Sequence, residues 1–176
     1  MRCVAAGSLV LVLSTVWIGT AFSATAPDFN LRSPDGKRLN LHDMLEGGPV
    51  LLDFWATYCK PCVKAMPKLQ ALHKKYESRG LTVLGVNEDG PRSQTKVPPF
   101  LRARKISFPI ALDTDGGVMR RMQVGALPTT ILIGQDGEVL FRQAGYDPKM
   151  EVALEKLLDA LPDVTPEEKE NAVDKN

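Results

Sequence analysis

Cysteine is scarce in this chain, three in 176 residues, and histidine is scarcer at two. A structural zinc site needs four such ligands. With Cys3 set apart near the N-terminus, only Cys59, Cys62, His42 and His73 remain, at spacings unlike any zinc finger, so no metal and no bound cofactor is expected. Soft thiolates suit Cu(I), but nothing in the spacing asks for it. His42 in "NLHDML" and His73 in "ALHKKY" read instead as exposed or half-buried helix residues. An excess of one charge is missing too. Lys and Arg number 22 against 21 Asp and Glu, without a long basic run, which gives no electrostatic case for nucleic acid or an acidic polymer as partner. There is neither an internal repeat nor a second domain. At 44% hydrophobic the chain has apolar content for one real core, and a domain of about 150 residues already buries roughly 68–70% of its unfolded surface. Disulfide staples are therefore unnecessary.

What is present begins with a distinct first segment. "MRCVAAGSLVLVLSTVWIGTAFSA" carries one charge, Arg2, then none from Val4 to Phe22, and closes on Ala21, Ser23 and Ala24. This is the pattern of a signal peptide over residues 1–23, cleaved after Ser23, with an uncleaved N-terminal anchor as the alternative. Either way the rest is exported, to the periplasm. Without that segment the remainder has no net charge and two cysteines.

The apolar pattern then alternates in kind. "FNLRSPDGKRLNL" turns over at Ser33 to Gly36 and reads as a hairpin, followed by a short helical piece from Leu41 to Leu45. "PVLLDFW" is a near-continuous apolar run, the mark of a strand buried on both faces. From Cys59, the residues Cys62, Ala65, Met66, Leu69, Leu72 and Tyr76 recur every three or four positions, predicting a helix that ends near Gly80 with a kink at Pro67. "LTVLGVN" is the next strand, so strand, helix and strand make a parallel crossover unit. Residues 90–99 are loop-rich and lead into a helix to about Lys105; "FPIAL" is a short strand and "GGVMRRMQV" a helical turn or two. "ALPTTILIG" and "GEVLFRQAG" form a hairpin about Gln135 to Gly137, and Met150 to Leu161 a closing helix. Residues 162–176 read as a polar, disordered tail.

"DFWATYCKPC" therefore puts a Cys-x-x-Cys pair at the start of a helix directly after a buried strand. There, unpaired backbone N–H groups and the helix dipole favour a thiolate at Cys59. Cys62 lies nearly one turn deeper, shielded and placed to attack any mixed disulfide formed at Cys59. Lys60 adds a nearby cation. Pro61 sits in the first turn, where its missing N–H matters least. A structural staple is the alternative, although so short a loop removes little unfolded-state entropy.

"WATYCKPC" after "LLDF", with "ALPTT" about seventy residues later, resembles the thioredoxin superfamily, and the leader with "APDFNL" is similar to its TlpA/ResA-like branch. The resemblance covers residues 26–161. It implies a thioredoxin fold, a central mixed β-sheet flanked by α-helices with the N-terminal β-hairpin as an extension. It also implies a redox-active disulfide between Cys59 and Cys62, and a cis Pro128 facing them, with Leu127 offering backbone to an extended substrate. Asp53 falls on the position of thioredoxin's buried aspartate, suited to exchange the Cys62 proton through water. The glutamate that many TlpA/ResA-like proteins resemble one another in having, three residues after the second cysteine, is Ala65 here. Glu88 is another acid near the site, read as an exposed loop carboxylate. Trp55 and Tyr58 are contact residues by position, with packing at the sheet end an equal explanation for Trp55. "APDF" also resembles the peroxiredoxin start, but a tight cysteine pair stands where a lone peroxidatic cysteine is needed.

The expected function is thiol-disulfide oxidoreduction. The family implies a monomer that reduces disulfides of exported proteins, re-reduced by a membrane electron donor, with cytochrome c maturation as the common client pathway. A disulfide oxidase or isomerase, or a non-enzymatic copper or assembly chaperone on the same fold, stays open.

Overall fold

A computed structural model of the chain describes residues 24–164; the leader at 1–23 and most of the tail expected over 162–176 lie outside the described residues. The start of that tail is ordered: Val164 is buried, its N–H donates to the Arg79 carbonyl at 3.3 Å, and Asp163 is paired with Arg79. Seven strands form one sheet in the order β2-β1-β5-β4-β3-β6-β7. The strands β1 (Asn30–Arg32) and β2 (Arg38–Asn40) are the hairpin about Ser33 to Gly36, and they pair antiparallel. Helix α1 (Leu41–Glu46) follows at once because the Asn40 side chain caps it, accepting the Asp43 N–H at 2.9 Å.

The centre is β3 (Val50–Trp55), buried at all six positions as its unbroken apolar run requires. It pairs parallel with β4 (Thr82–Asn87) and antiparallel with β6 (Thr129–Ile133), and β4 pairs parallel with β5 (Ile110–Leu112). The sheet is mixed, as the alternation of elements implies. The last strand, β7 (Val139–Ala144), pairs antiparallel with β6 across the Gln135 to Gly137 turn.

Two cores lie on its two faces. Alternate β3 residues Leu51 and Trp55 pack with Cys62, Ala65, Met66 and Leu69 of α2 (Lys60–Tyr76), with Val97 of α3 (Val97–Ala103), and with Leu154 and Leu158 of α5 (Met150–Ala160). Leu52 and Phe54 face the other way, against Leu41 and Leu45 of α1 and Val118 of α4 (Gly117–Arg121). Helix α2 runs unbroken through Pro67, which is exposed, and a 3-10 turn over Glu77–Arg79 carries the chain to Gly80 at φ +101°, where only glycine is unstrained. Gly85 serves a different need. A Cβ there would stand 2.6 Å from Ile110 Cδ1 and 2.9 Å from Trp55 Nε1, so its bare backbone makes the room that Trp55 fills.

Candidate active site

The parallel strands β3, β4 and β5 end on one edge of the sheet, and the chain leaving β3 there becomes Ala56 to Cys59. That short loop is held from a distant point in the sequence. Asp89 is buried and accepts the Thr57 backbone N–H at 2.8 Å and its hydroxyl at 2.7 Å, while Asn87 donates to the same carboxylate at 2.7 Å. The Glu88 N–H donates to the Trp55 carbonyl at 2.8 Å, closing β3 against β4 one step beyond the Trp55–Asn87 pair.

Cys59 is the N-cap of α2. Its backbone is extended, and its sulfur accepts the Cys62 N–H at 3.2 Å, so a cysteine does here what a serine or aspartate does at other helix starts. Cys59 and Cys62 are joined in a disulfide, with 5.3 Å between their Cα atoms. The two sulfur-bearing residues are unequal. Cys59 is 8% exposed and Cys62 0%, so only the first offers surface to an incoming molecule. Lys60 and Pro61 are exposed beside it, and Tyr58, at 72%, is one of two large apolar side chains this open among the described residues.

Beneath the pair, period-two alternation puts Asp53 between Leu51 and Trp55 on the α2 face of β3. It is 1% exposed. One carboxylate oxygen accepts the Thr130 hydroxyl at 3.0 Å and the other has no partner among the described residues. Burial pushes its pKa up to about 7, with the Thr130 hydroxyl opposing. Ala65, also buried on this face, adds no second carboxyl.

On the far side of β3, Phe54 pairs with Thr129, so Pro128 stands beside the exit of β3 toward the cysteines. The Leu127–Pro128 bond is cis, in agreement with the resemblance. Pro128 is buried and its carbonyl accepts the Gly145 N–H at 2.7 Å; Leu127 is half-buried.

Two expectations change. Trp55 has no exposed surface and its ring stacks on Phe100, with centroids 5.4 Å apart, so it supports the site from below and touches no partner. Glu88 is half-buried and not an exposed loop carboxylate: burial first, then the neighbouring Asp113, push its pKa up to about 8. It belongs to the α4 face, since the neighbouring Asp113 accepts the Met119 N–H at 2.8 Å. Asp53, on the cysteine face, is the better-placed acid. The two histidines lie on helices, near Glu46 and Glu77, and among the described residues no three His, Cys, Asp or Glu side chains gather as a metal site would need.

Thr130 and Asp89 escaped sequence reasoning. Thr130 stood inside the quoted "LPTT", and a β3–β6 register would have put it opposite Asp53; Asp89 carries no local signal at all.

Known proteins resemble this chain in sequence and fold. The model of the AhpC/TSA family matches residues 23–142. A thiol-disulfide oxidoreductase ResA of Bacillus cereus is 35% identical over 141 residues, 80% of this chain and 77% of that protein. ResA of Bacillus subtilis is 39% identical over 115 residues, 65% of this chain and 63% of its own length. Among solved structures, one assigned as a thiol:disulfide interchange protein DsbE from Chlorobium tepidum is similar with a TM-score of 0.72 at 34% identity, over 78% of this chain and 95% of that one.

Proposed function

Because the chain belongs to the AhpC/TSA family and is a thiol-disulfide oxidoreductase of the ResA-like kind, we propose that it reduces disulfides of exported proteins. Apocytochromes c are the client class that the family suggests. Residues 26–161 are the working domain in this proposal, 1–23 the export signal or an anchor, and 162–176 a polar tail.

The observation that carries the direction of attack is the inequality of the two cysteines at the helix start. Once the pair is reduced, the Cys59 thiolate attacks one sulfur of a substrate disulfide. That S–S bond breaks, one substrate sulfur leaves as thiolate, and the other is bonded to Cys59. Cys62 then gives its proton to Asp53 through water and attacks the Cys59 sulfur, releasing the second substrate thiolate. Two electrons have passed to the substrate and the Cys59–Cys62 disulfide is left. A membrane electron donor restores the dithiol. Tyr58, Lys60, Pro61 and the Leu127 backbone form the contact surface around Cys59, and cis Pro128 holds an extended substrate beside it.

Equilibration against a glutathione series tests the direction. A midpoint below about −200 mV fits a reductant, whereas one near about −120 mV, toward which Lys60 would push by stabilising the thiolate, makes the protein an oxidase.

A further inference from the structure

Beyond the cysteines, on the hairpin side of the sheet, an open cleft of about 740 Å³ is lined by Arg32, Arg38, Gln94, Leu112 and Thr114 among others, with no acidic side chain in its wall. Arg32 and Arg38 are direct cross-strand partners in the β1–β2 hairpin. Like charges so placed repel, and among the described residues no carboxylate lies within ion-pair reach of either guanidinium. Arg32 is steadied by donating to the Gly36 carbonyl at 3.0 Å.

The sheet register ties this cleft to the active site. Arg38 pairs with Arg32, Arg32 with Leu112, Leu112 with Asn87, and Asn87 with Trp55. Paired residues share a face, and Leu112 and Trp55 pack in the core that holds Cys59 and Cys62, so the arginines belong to the cysteine face. At about 4.8 Å per strand, Arg32 stands roughly 14 Å and Arg38 roughly 19 Å from Trp55. Exposed Arg92 and Lys96 stand two residues to either side of Gln94, which lines the cleft, on the segment that follows β4, and exposed Lys60 follows Cys59.

The acids nearest the cleft, Asp113 and Glu88, turn to the α4 face, and the others of this region are held locally. Asp35 is tied to Ser33 and Lys37, Asp89 to Thr57, and Asp115 to the Gly117 N–H. On the opposite flank, Lys68, Lys75 and Arg79 are neutralised by Glu151, Glu155, Asp159 and Asp163. The balanced net charge therefore conceals an unpaired basic track, and the sequence-level exclusion of acidic partners does not extend to this face.

We propose that the cleft docks an acidic, extended segment of the protein substrate some residues along the chain from the disulfide under attack; about four to six residues at about 3.3 Å each span the separation between the arginines and the end of β3, from which the chain runs on to Cys59. The proposal rests on the reductase reading of Cys59 and adds a feature that its substrates would share. Turnover is to be compared for two peptides with one disulfide and either four glutamates or four glutamines five residues from the cysteine. The full chain should prefer the glutamate peptide by about 10-fold in kcat/KM, and the preference should fall in 0.5 M NaCl. In Arg32→Gln/Arg38→Gln it should shrink to about 1 while reduction of the glutamine peptide is unchanged. Equal turnover of both peptides by the full chain, or a preference that survives the double substitution or the salt, overturns the proposal. Failure to reduce either peptide, or insulin, would instead overturn the reductase reading itself.

Discussion

Replacing Cys62 by alanine is expected to leave a protein that attacks disulfides and cannot release them. Cys59, the more exposed of the two, keeps its helix-start position and the Cys62 backbone N–H, which any residue at 62 other than proline supplies. The mixed disulfide then lacks its resolving thiol and accumulates, so non-reducing electrophoresis of exported fractions should show covalent adducts that dithiothreitol removes. Cys59→Ala should do the reverse: insulin reduction falls to the uncatalysed level and no adduct forms at the helix start, because the Cys62 thiol left there is fully buried. Turnover by Cys59→Ala at the normal rate would mean that the nucleophile has been misassigned. Recovery of no adduct with Cys62→Ala would remove the exchange mechanism.

The second large effect concerns Asp53, where stability and activity should move in opposite directions. Its pKa rises from 3.8 in the unfolded chain to about 7 in the folded protein, because burial disfavours the charged form by more than the Thr130 hydroxyl favours it. Between those values the folded state holds a proton that the unfolded state has released, so this residue makes the protein less stable as pH rises across the window. Asp53→Asn removes the penalty while keeping a partner for Thr130. Denaturant unfolding should show the variant more stable by about 4 kcal/mol at pH 8 and scarcely different at pH 3.5. If Asp53 also accepts the Cys62 proton, release of the mixed disulfide slows by about 100-fold and loses its inflection near pH 7. A variant that is stabilised yet fully active would leave Asp53 a buried acid without a part in the exchange.

The order of elements could be read from the sequence because each carries a strong local signal: the unbroken run of β3, the three-to-four spacing of α2, the turn residues of both hairpins. The Cys-x-x-Cys pair was legible for the same reason, since strand, loop and helix start are contiguous. Contacts made by register were not. Asp89 reaches Thr57 only because β4 ends beside β3, and Glu88 meets Asp113 only because β5 ends beside β4. The burial of Trp55 depends on Gly85 and Phe100, neither of which marks itself in the sequence as its neighbour. The arginine pair of the first hairpin is close in the sequence, yet its relation to the cysteines runs across four strand pairings.

All of the chemistry rests on the ionisation of one sulfur, and the ultraviolet absorbance of the thiolate, followed against pH in the reduced Cys3→Ala/Cys62→Ala protein with the Cys3→Ala/Cys59→Ala/Cys62→Ala protein subtracted, isolates it. A midpoint for Cys59 more than one unit below about 8.5, the value of an ordinary cysteine, is the expected result. A midpoint at or above that value would contradict the account.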